Sequence, residues 1–285
     1  MAKYKLALIG YPLGHTLSPI LYKAAFQDLG IDAQYEVLPT RPEDLISKIK
    51  YLRANKYYGF NVTIPHKVPT TLFLSKYDEY VNMTGSVNTV KIEEDTTLSG
   101  FNTDVFGFVA PLNNVDLTGK KAAVIGTGGA ARAICAGLYL KGVKEIDIYT
   151  RNIINSSETI ATLRKRFDKI TFTPIQTGLM ETLEDVDILV NTTPLGMKNF
   201  DEEASPVSDK NIESMPTGAI VYDIVYNPLQ TALISKAKKY GKNHICGLDM
   251  LIYQACCAVK TWFDLEPDFK TMKIAALEEF LMSHS

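Results

Sequence analysis

The sequence predicts an α/β protein of two lobes, followed by a helical tail. Short apolar runs alternate with segments of helical period, and this alternation is typical of a parallel or mixed sheet covered by helices. A glycine-rich turn stands between one apolar run and a helical segment near the middle of the chain. The length of 285 residues accommodates two domains of ordinary size.

The first lobe is predicted from its strands and helices in order. Ser18 is the expected N-cap and Pro19 the first position of a helix that ends at Gly30. A second helix is predicted within residues 42–56, where Leu45, Ile49 and Leu52 have helical spacing. Strands are predicted at residues 5–10, 34–39 and 59–64, with a hairpin at 87–92 and 96–102.

The second lobe begins near Lys120 with a buried strand, a glycine loop, a helix and another strand. Further strands are predicted at residues 145–150, 170–175, 187–193, 219–226 and 243–247, and helices at 131–140, 158–167 and 229–240. From Leu248 two helices are expected, broken near Pro267. We therefore expect three segments, residues 1–110, 111–247 and 248–285.

Composition narrows the class of function. The net charge of −2 provides no positive field for nucleic acid, and no apolar stretch is long enough to cross a membrane. The short apolar run at the N-terminus does not resemble a secretory signal, so a cytoplasmic protein is expected. The four cysteines and four histidines have no metal-ligand spacing, and no metal is expected.

A dinucleotide site is predicted at the glycine-rich turn. The motif Gly-x-Gly-x-x-Ala spans six residues: Gly126, Thr127, Gly128, Gly129, Ala130 and Ala131. The first glycine permits the tight turn, the second lets a pyrophosphate approach the backbone, and the small last residue allows close packing of helix on strand. An ordinary tight turn is the alternative, but the strand before the motif and the helix after it favour nucleotide binding and a Rossmann-type domain.

The next strand predicts which dinucleotide is bound. An NAD site usually has an acidic residue at this strand end, whereas this chain has Thr150, Arg151 and Asn152. The guanidinium of Arg151 suits the 2′-phosphate of NADP. A solvated surface arginine is the alternative.

Lys67 and Asp104 are the candidates for proton transfer. Lys67 follows a Thr-Ile-Pro-His turn, and Asp104 lies among amide and hydroxyl side chains in the run from Gly100 to Phe108. Oxidation of a secondary alcohol needs a base for the proton beside an acceptor for the hydride. Two other interpretations stay open at this point, a surface lysine for Lys67 and a helix N-cap for Asp104.

Eight segments extend in order over nearly the whole chain: GYPLGHTLSP, NVTIPHK, GSVNTV, GFNTDVFGF, GTGGAAR, NTTPLGM, DIVYNPLQT and GLDMLIYQA. Together they resemble the shikimate/quinate dehydrogenase family. The resemblance implies that residues 1–110 are an α/β substrate-binding catalytic domain, 111–247 a Rossmann-type NADP domain and 248–285 helices that return to the substrate domain.

The resemblance also implies a role for each matching residue. Lys67 and Asp104 match the catalytic pair. The residues matching substrate contacts are Thr16, Ser18, Thr63, Asn88, Asn102, Tyr226 and Gln254, and those matching further cofactor contacts are Thr192, Gly247 and Met250. Thr16 stands where the family usually has serine, and Asn152 where it usually has threonine.

The expected function is therefore reduction of 3-dehydroshikimate to shikimate with NADP, in the route to aromatic amino acids. A quinate or dual quinate/shikimate dehydrogenase is the alternative enzyme, and a non-catalytic NADP-binding sensor is an alternative of another class. The expected partners are the small-molecule substrate and the cofactor, without nucleic acid or membrane, and a homodimer stays open.

Overall fold

The computed structural model describes residues 3–14, 16–198 and 200–282. The described chain forms two compact units. The central unit is the continuous segment Phe108–Leu251. The N-terminal unit consists of the residues before Phe108 together with those from Ile252 onward, so both ends of the chain contribute to it.

The N-terminal unit contains a sheet of six strands with helices. Its strands are β1 (Tyr4–Gly10), β2 (Ala33–Pro39), β3 (Gly59–Val62), β4 (Lys76–Tyr77), β5 (Thr89–Ile92) and β6 (Leu98–Phe101). Its first helices are α1 (Ser18–Asp28), α2 (Leu45–Ala54), α3 (Glu79–Thr84) and α4 (Thr103–Val109), the last ending just beyond the unit. Short 3₁₀ turns span Pro42–Asp44 and Pro69–Phe73.

The strand order in this sheet is β2-β1-β3-β5-β6-β4. β1 is parallel to β2 and β3, and β5 is antiparallel to β3 and β6, so the sheet is mixed. Apolar side chains such as Ile9, Phe60 and Val90 are buried on this sheet. The predicted hairpin is the antiparallel pair β5 and β6.

The central unit contains a second six-stranded sheet. Its strands are β7 (Lys121–Ile125), β8 (Glu145–Thr150), β9 (Thr171–Gln176), β10 (Ile188–Asn191), β11 (Ile220–Asp223) and β12 (Asn243–Cys246). Its helices are α5 (Gly129–Leu140), α6 (Ile153–Arg166), α7 (Asp209–Ser214) and α8 (Ala232–Lys239), and 3₁₀ turns span Ala110–Leu112 and Thr177–Leu179.

All strand pairs of this second sheet are parallel, in the order β12-β11-β10-β7-β8-β9. The strand order reverses beside β7, and ligands of such sheets bind at the carboxyl ends of the strands at this point. The expectation of a Rossmann-type unit is confirmed.

Two final helices follow, α9 (Gly247–Phe263) and α10 (Phe269–Met282). Trp262 of α9 is buried, and its indole N–H donates to the carbonyl of Val90 in β5 at 3.0 Å. A Cβ on Gly59 would lie 2.4 Å from the indole nitrogen, so only glycine leaves room for this ring against β3. The expected return of the C-terminal helices to the N-terminal region is confirmed by these contacts.

The predicted start of the first helix is wrong by one residue. Leu17 occupies the N-cap position, without a side-chain cap, and Ser18 is already helical. The hydroxyl of Thr16 accepts from the backbone N–H of Ser18 at 3.2 Å, so Thr16 rather than Ser18 serves the helix start. In the described residues, no helix is long and apolar enough to span a membrane.

Candidate active site

Lys67 lies in the turn that follows β3. The N–H of His66 donates to the carbonyl of Thr63 at 2.9 Å, and the buried His66 Nε2 lies 2.7 Å from the carbonyl of Thr40. The carbonyl of Lys67 accepts from the N–H of Val87 at 2.8 Å. Because the backbone is held on both sides of Lys67, the direction in which its side chain leaves the turn is fixed.

Lys67 forms an ion pair with Asp104 in the first turn of α4. The ammonium Nζ donates to Oδ2 of Asp104 at 2.5 Å, and the two side chains are 14% and 8% exposed. Charged hydrogen bonds of this length are the strong class. A buried pair is weak evidence for stability, because removing two charges from water is costly. Because the Lys67 side chain is still partly exposed, a small ligand can reach it.

Asn88 fixes the orientation of the Asp104 carboxylate. The backbone N–H of Thr103 donates to Oδ1 of Asn88 at 2.8 Å, and this bond turns the amide nitrogen toward Asp104. Asn88 Nδ2 then donates to Oδ1 of Asp104 and to the Thr103 hydroxyl, both at 2.9 Å. Oε1 of Gln254 lies 3.4 Å from Asn88 Nδ2. Hydrogen bonds thus join four of the residues predicted from sequence, Lys67, Asp104, Asn88 and Gln254.

Asn102 belongs to a neighbouring set of polar groups. Its Nδ2 donates to the hydroxyls of Thr84 at 3.0 Å and Ser86 at 3.1 Å, and to the Ser86 carbonyl at 2.9 Å. Its Oδ1 is buried without a hydrogen-bond partner among the described residues. A buried acceptor without a donor is costly. The hydrogen bonds of Asn102 Nδ2 to Thr84 and Ser86 support the turn before α4.

Thr16 and Ser18 form a pair of hydroxyls at the start of α1. The Thr16 hydroxyl donates to Oγ of Ser18 at 3.1 Å. Ser18 is buried and Thr16 half-buried. Thr63 is also half-buried and directly follows β3. These hydroxyls offer neutral hydrogen-bonding groups near the carboxyl ends of β1 and β3.

Sequence reasoning missed Thr103 and Asn61. Thr103 orients Asn88, as described above. Asn61 is buried within β3, donates to the Thr89 hydroxyl at 3.0 Å and accepts from the Tyr35 hydroxyl at 2.7 Å. A polar side chain inside a buried strand needs partners, and this was the available signal for Asn61.

The glycine loop of the central unit has the shape that a dinucleotide phosphate needs. Gly126 has φ +108°, and a Cβ there would lie 2.5 Å from Oγ1 of Thr192, so glycine is required. A Cβ on Gly128 would meet nothing within 4 Å, so no protein contact requires glycine there. This open space precedes the N-terminus of α5, whose N–H groups favour anions, and Ala131 is buried behind it. The residues present fit a dinucleotide.

The end of β8 carries the predicted 2′-phosphate residues. Thr150 is buried as the last residue of the strand. Arg151 is exposed, and Asn152 caps α6 by accepting from the N–H of Asn155 at 3.1 Å. The guanidinium is therefore presented between a strand end and a helix start.

Asp223 orders the loops that follow β10 and β11, at the same carboxyl edge of this parallel sheet. Its buried carboxylate accepts from the Thr231 hydroxyl at 2.6 Å, the Asn191 amide at 2.9 Å and the Val225 N–H at 3.1 Å. Burial raises the pKa of Asp223 to about 6, although these three donors oppose the shift. The carboxylate thus fixes the loops that follow β10 and β11.

The remaining predicted residues lie at these same strand ends. The Thr192 hydroxyl donates to the carbonyl of Ile125 at 2.6 Å. Tyr226 is half-buried in the loop after β11, and Gly247 and Met250 are buried in the first turn of α9. Among the described residues, no group of three or more His, Cys, Asp or Glu could hold a metal ion.

Comparison with known proteins matches both ends of the chain to one family. Residues 8–90 match the model of a shikimate dehydrogenase substrate binding domain, and residues 247–277 match that of a shikimate 5′-dehydrogenase C-terminal domain. The shikimate dehydrogenase (NADP(+)) of Nitrosopumilus maritimus is 38% identical over 277 residues, which cover 96% of this chain and 98% of the relative. The chain belongs to the shikimate dehydrogenase family.

Solved structures of the family have the same fold. A shikimate dehydrogenase in complex with NADP⁺ matches with a TM-score of 0.86 and 34% identity, covering 97% of this chain and 95% of its own. The enzyme of Thermus thermophilus, in complex with NADP(H) and shikimate, matches with a TM-score of 0.82 and 31% identity, covering 96% and 99%. The family resemblance and the fold class predicted from the sequence are confirmed.

Proposed function

We propose that this chain is an NADP-dependent shikimate dehydrogenase, which interconverts 3-dehydroshikimate and shikimate in the route to aromatic amino acids. The observation that carries the proposal is the Lys67–Asp104 pair at 2.5 Å, held in place by Asn88, in a chain of this family. We place the reaction in the cytoplasm, as the sequence predicts.

Lys67 handles the proton of the reaction. Reduction of the ketone adds a hydride to carbon and a proton to oxygen, and bound NADPH supplies the hydride. The Lys67 ammonium donates the proton to the carbonyl oxygen, and in the reverse direction the neutral amine takes it from the hydroxyl. Asp104 holds Nζ in position, so its distance to the reacting oxygen is set before substrate binds.

The substrate is held by neutral polar groups. Thr16 and Ser18 donate hydroxyls to the carboxylate, and Tyr226 is the further substrate contact that the family resemblance implies. Thr63, Asn88, Asn102 and Gln254 bind ring hydroxyls. The half-buried Thr63 and Gln254 support the assignment of these two residues, since their side chains remain partly open. Asn88 and Asn102 are buried, and their amide nitrogens donate to protein groups.

The cofactor is held by the central unit. The loop from Gly126 to Ala131, with Thr127, Gly129 and Ala130, binds the pyrophosphate at the N-terminus of α5. Thr150, Arg151 and Asn152 bind the 2′-phosphate, and Thr192, Gly247 and Met250 lie around the nicotinamide. In this assignment residues 1–110 form the catalytic domain, 111–247 the NADP domain and 248–285 the returning helices.

Rates of NADP⁺ reduction with shikimate and with quinate, followed by NADPH absorbance, test the proposal. We expect shikimate to be the better substrate and Lys67→Met to abolish most of the rate. Faster reduction with quinate would instead make the chain a quinate dehydrogenase. Binding of NADP⁺ without turnover of either acid would make it a cofactor-binding sensor.

A further inference from the structure

Three hydroxyl side chains form a continuous hydrogen-bonded chain in the central unit. Oγ of Ser156 lies 3.0 Å from Oγ1 of Thr127 and 2.7 Å from Oγ1 of Thr150. Ser156 and Thr150 are buried, and Thr127 is half-buried. Ser156 was not among the site residues expected from the sequence.

The two ends of this hydroxyl chain belong to different parts of the proposed cofactor site. Thr127 lies between Gly126 and Gly128, in the loop assigned to the pyrophosphate. Thr150 is followed directly by Arg151, which is assigned to the 2′-phosphate. Ser156 of α6 is therefore the bridge between the two phosphate-binding elements.

A second contact holds the same helices together. The guanidinium Nη2 of Arg132 in α5 donates to Oγ1 of Thr159 in α6 at 3.0 Å. Thr159 is one helical turn beyond Ser156, so it lies on the same face of α6. This contact joins α6 to α5, while Ser156 joins α6 to the glycine loop and to the end of β8.

A ligand that accepts from Thr127 would constrain the direction of the hydrogen bonds in this hydroxyl chain. Each hydroxyl donates one hydrogen bond, so Ser156 donates to Thr127 or to Thr150, or it accepts from both. If Thr127 donates to a phosphate oxygen, Ser156 must donate to Thr127, and Thr150 must donate to Ser156. If Thr127 instead donates to Ser156, its proton is not available to the phosphate. A bound pyrophosphate thus selects the sense of the bonds as far as Thr150, and hydrogen bonds in such chains strengthen one another.

We propose that Ser156 is a positioning residue for NADP selectivity, which couples the pyrophosphate loop at Thr127 to the 2′-phosphate tip at Thr150 and Arg151. The inference rests on the proposed function, because it needs NADP at this site. NADP contacts both ends of the hydroxyl chain, at Thr127 and beside Thr150. NAD has no 2′-phosphate and contacts the Thr127 end alone. Loss of the bridge therefore weakens NADP more than NAD.

Ser156→Ala is the direct test, with Ser157→Ala as the matched control. Ser157 is the next residue of α6, and its hydroxyl donates to the carbonyl of Ile154 at 2.7 Å instead of joining the chain. Dissociation constants for NADP⁺ and NAD⁺ are measured by isothermal titration calorimetry. We expect Ser156→Ala to weaken NADP⁺ by about 3- to 10-fold, the worth of one neutral hydrogen bond, and NAD⁺ by less than about 2-fold.

Thr127→Val provides a second variant, because valine has the shape of threonine without its hydroxyl. It removes the Thr127 hydroxyl from the hydroxyl chain and should weaken the binding of both cofactors, with the larger loss for NADP⁺. Equal losses of affinity for the two cofactors in Ser156→Ala would overturn the inference on Ser156 and leave the proposed function standing. The same follows if Ser156→Ala and Ser157→Ala have the same affinities. Wild-type protein that binds neither cofactor would overturn the proposed function and this inference together.

Discussion

Replacement of Asp104 by Asn tests the centre of the site without changing its shape. The carboxylate accepts from Lys67 on Oδ2 and from Asn88 on Oδ1. An asparagine has one oxygen, so it can accept from one of these donors only. The other donor then faces the new NH₂ group. The Asn88 amide cannot turn to relieve this clash, because its Oδ1 is held by the N–H of Thr103 at 2.8 Å.

The magnitude follows from the bond that is lost. A charged hydrogen bond is worth about 1.5–3 kcal/mol, and a loss of this size in the transition state lowers kcat by about 10- to 150-fold. The free energy of unfolding should fall by about 1–3 kcal/mol, since one buried donor is left without a partner. The fold should survive, because Asp104 does not occupy the core of either sheet.

The assay combines kcat for shikimate oxidation with urea unfolding. Asp268→Asn is the control for an acidic residue at a helix start, because Asp268 accepts from the N–H of Thr271 at 2.9 Å before α10. This control should leave kcat unchanged. If Asp104→Asn lowers stability and leaves kcat at the wild-type value, Asp104 acts only at the start of α4 and our reasoning is refuted.

Four further changes test the other residues. Lys67→Ala should lower kcat by about 10²–10⁴-fold with a smaller change in KM, and steady-state turnover above about half of wild type would exclude Lys67 from proton transfer. Arg151→Ala should weaken NADP⁺ by roughly 10- to 150-fold in calorimetry and leave NAD⁺ nearly unaffected, whereas equal losses would contradict the assignment. Thr16→Ser removes a methyl and should raise kcat/KM for quinate relative to shikimate by up to about 10-fold, and a fall in that ratio would favour the quinate enzyme. Asp223→Asn tests pH dependence. Burial raises the pKa of Asp223 from 3.8 to about 6, so the folded chain binds this proton more tightly and wild type loses stability as pH rises through that range. Denaturant titrations give the unfolding free energy of wild type minus that of Asp223→Asn. This difference should be larger by about 1 kcal/mol at about pH 5 than at about pH 7. A difference that does not change with pH would oppose the prediction.

The strands were predictable because their apolar runs are buried, but their ends were not. The strand predicted at residues 219–226 ends at Asp223, because the Asp223 carboxylate accepts from the N–H of Val225 and turns the chain. The six-residue helix α7 was missed as well. It begins with a capping box between Ser208 and Asn211, in which Asn replaces the usual Glu or Gln.

The candidate site could be proposed from the sequence where the chemistry belongs to single residues. A lysine after a tight turn and an aspartate among amides suggested proton transfer, and the glycine loop suggested phosphate binding. The residues that orient these groups were not predictable, because their contacts depend on how strands and helices pair and pack. Asn88 and Thr103 meet only because β5 and β6 pair, and Thr127 meets Ser156 only because α6 packs beside the glycine loop.

The contact of Trp262 with Gly59 and Val90 has a consequence for the order in which the protein forms during synthesis. The central unit is a continuous segment, so it can fold as soon as it leaves the ribosome. The first sheet is made earlier, but its indole partner arrives 172 residues after Val90. Until then the indole that packs against Gly59 is missing, and contacts of such sequence separation form slowly. The unit whose first residues are synthesised earliest is therefore completed only after the central unit and Trp262 have been made.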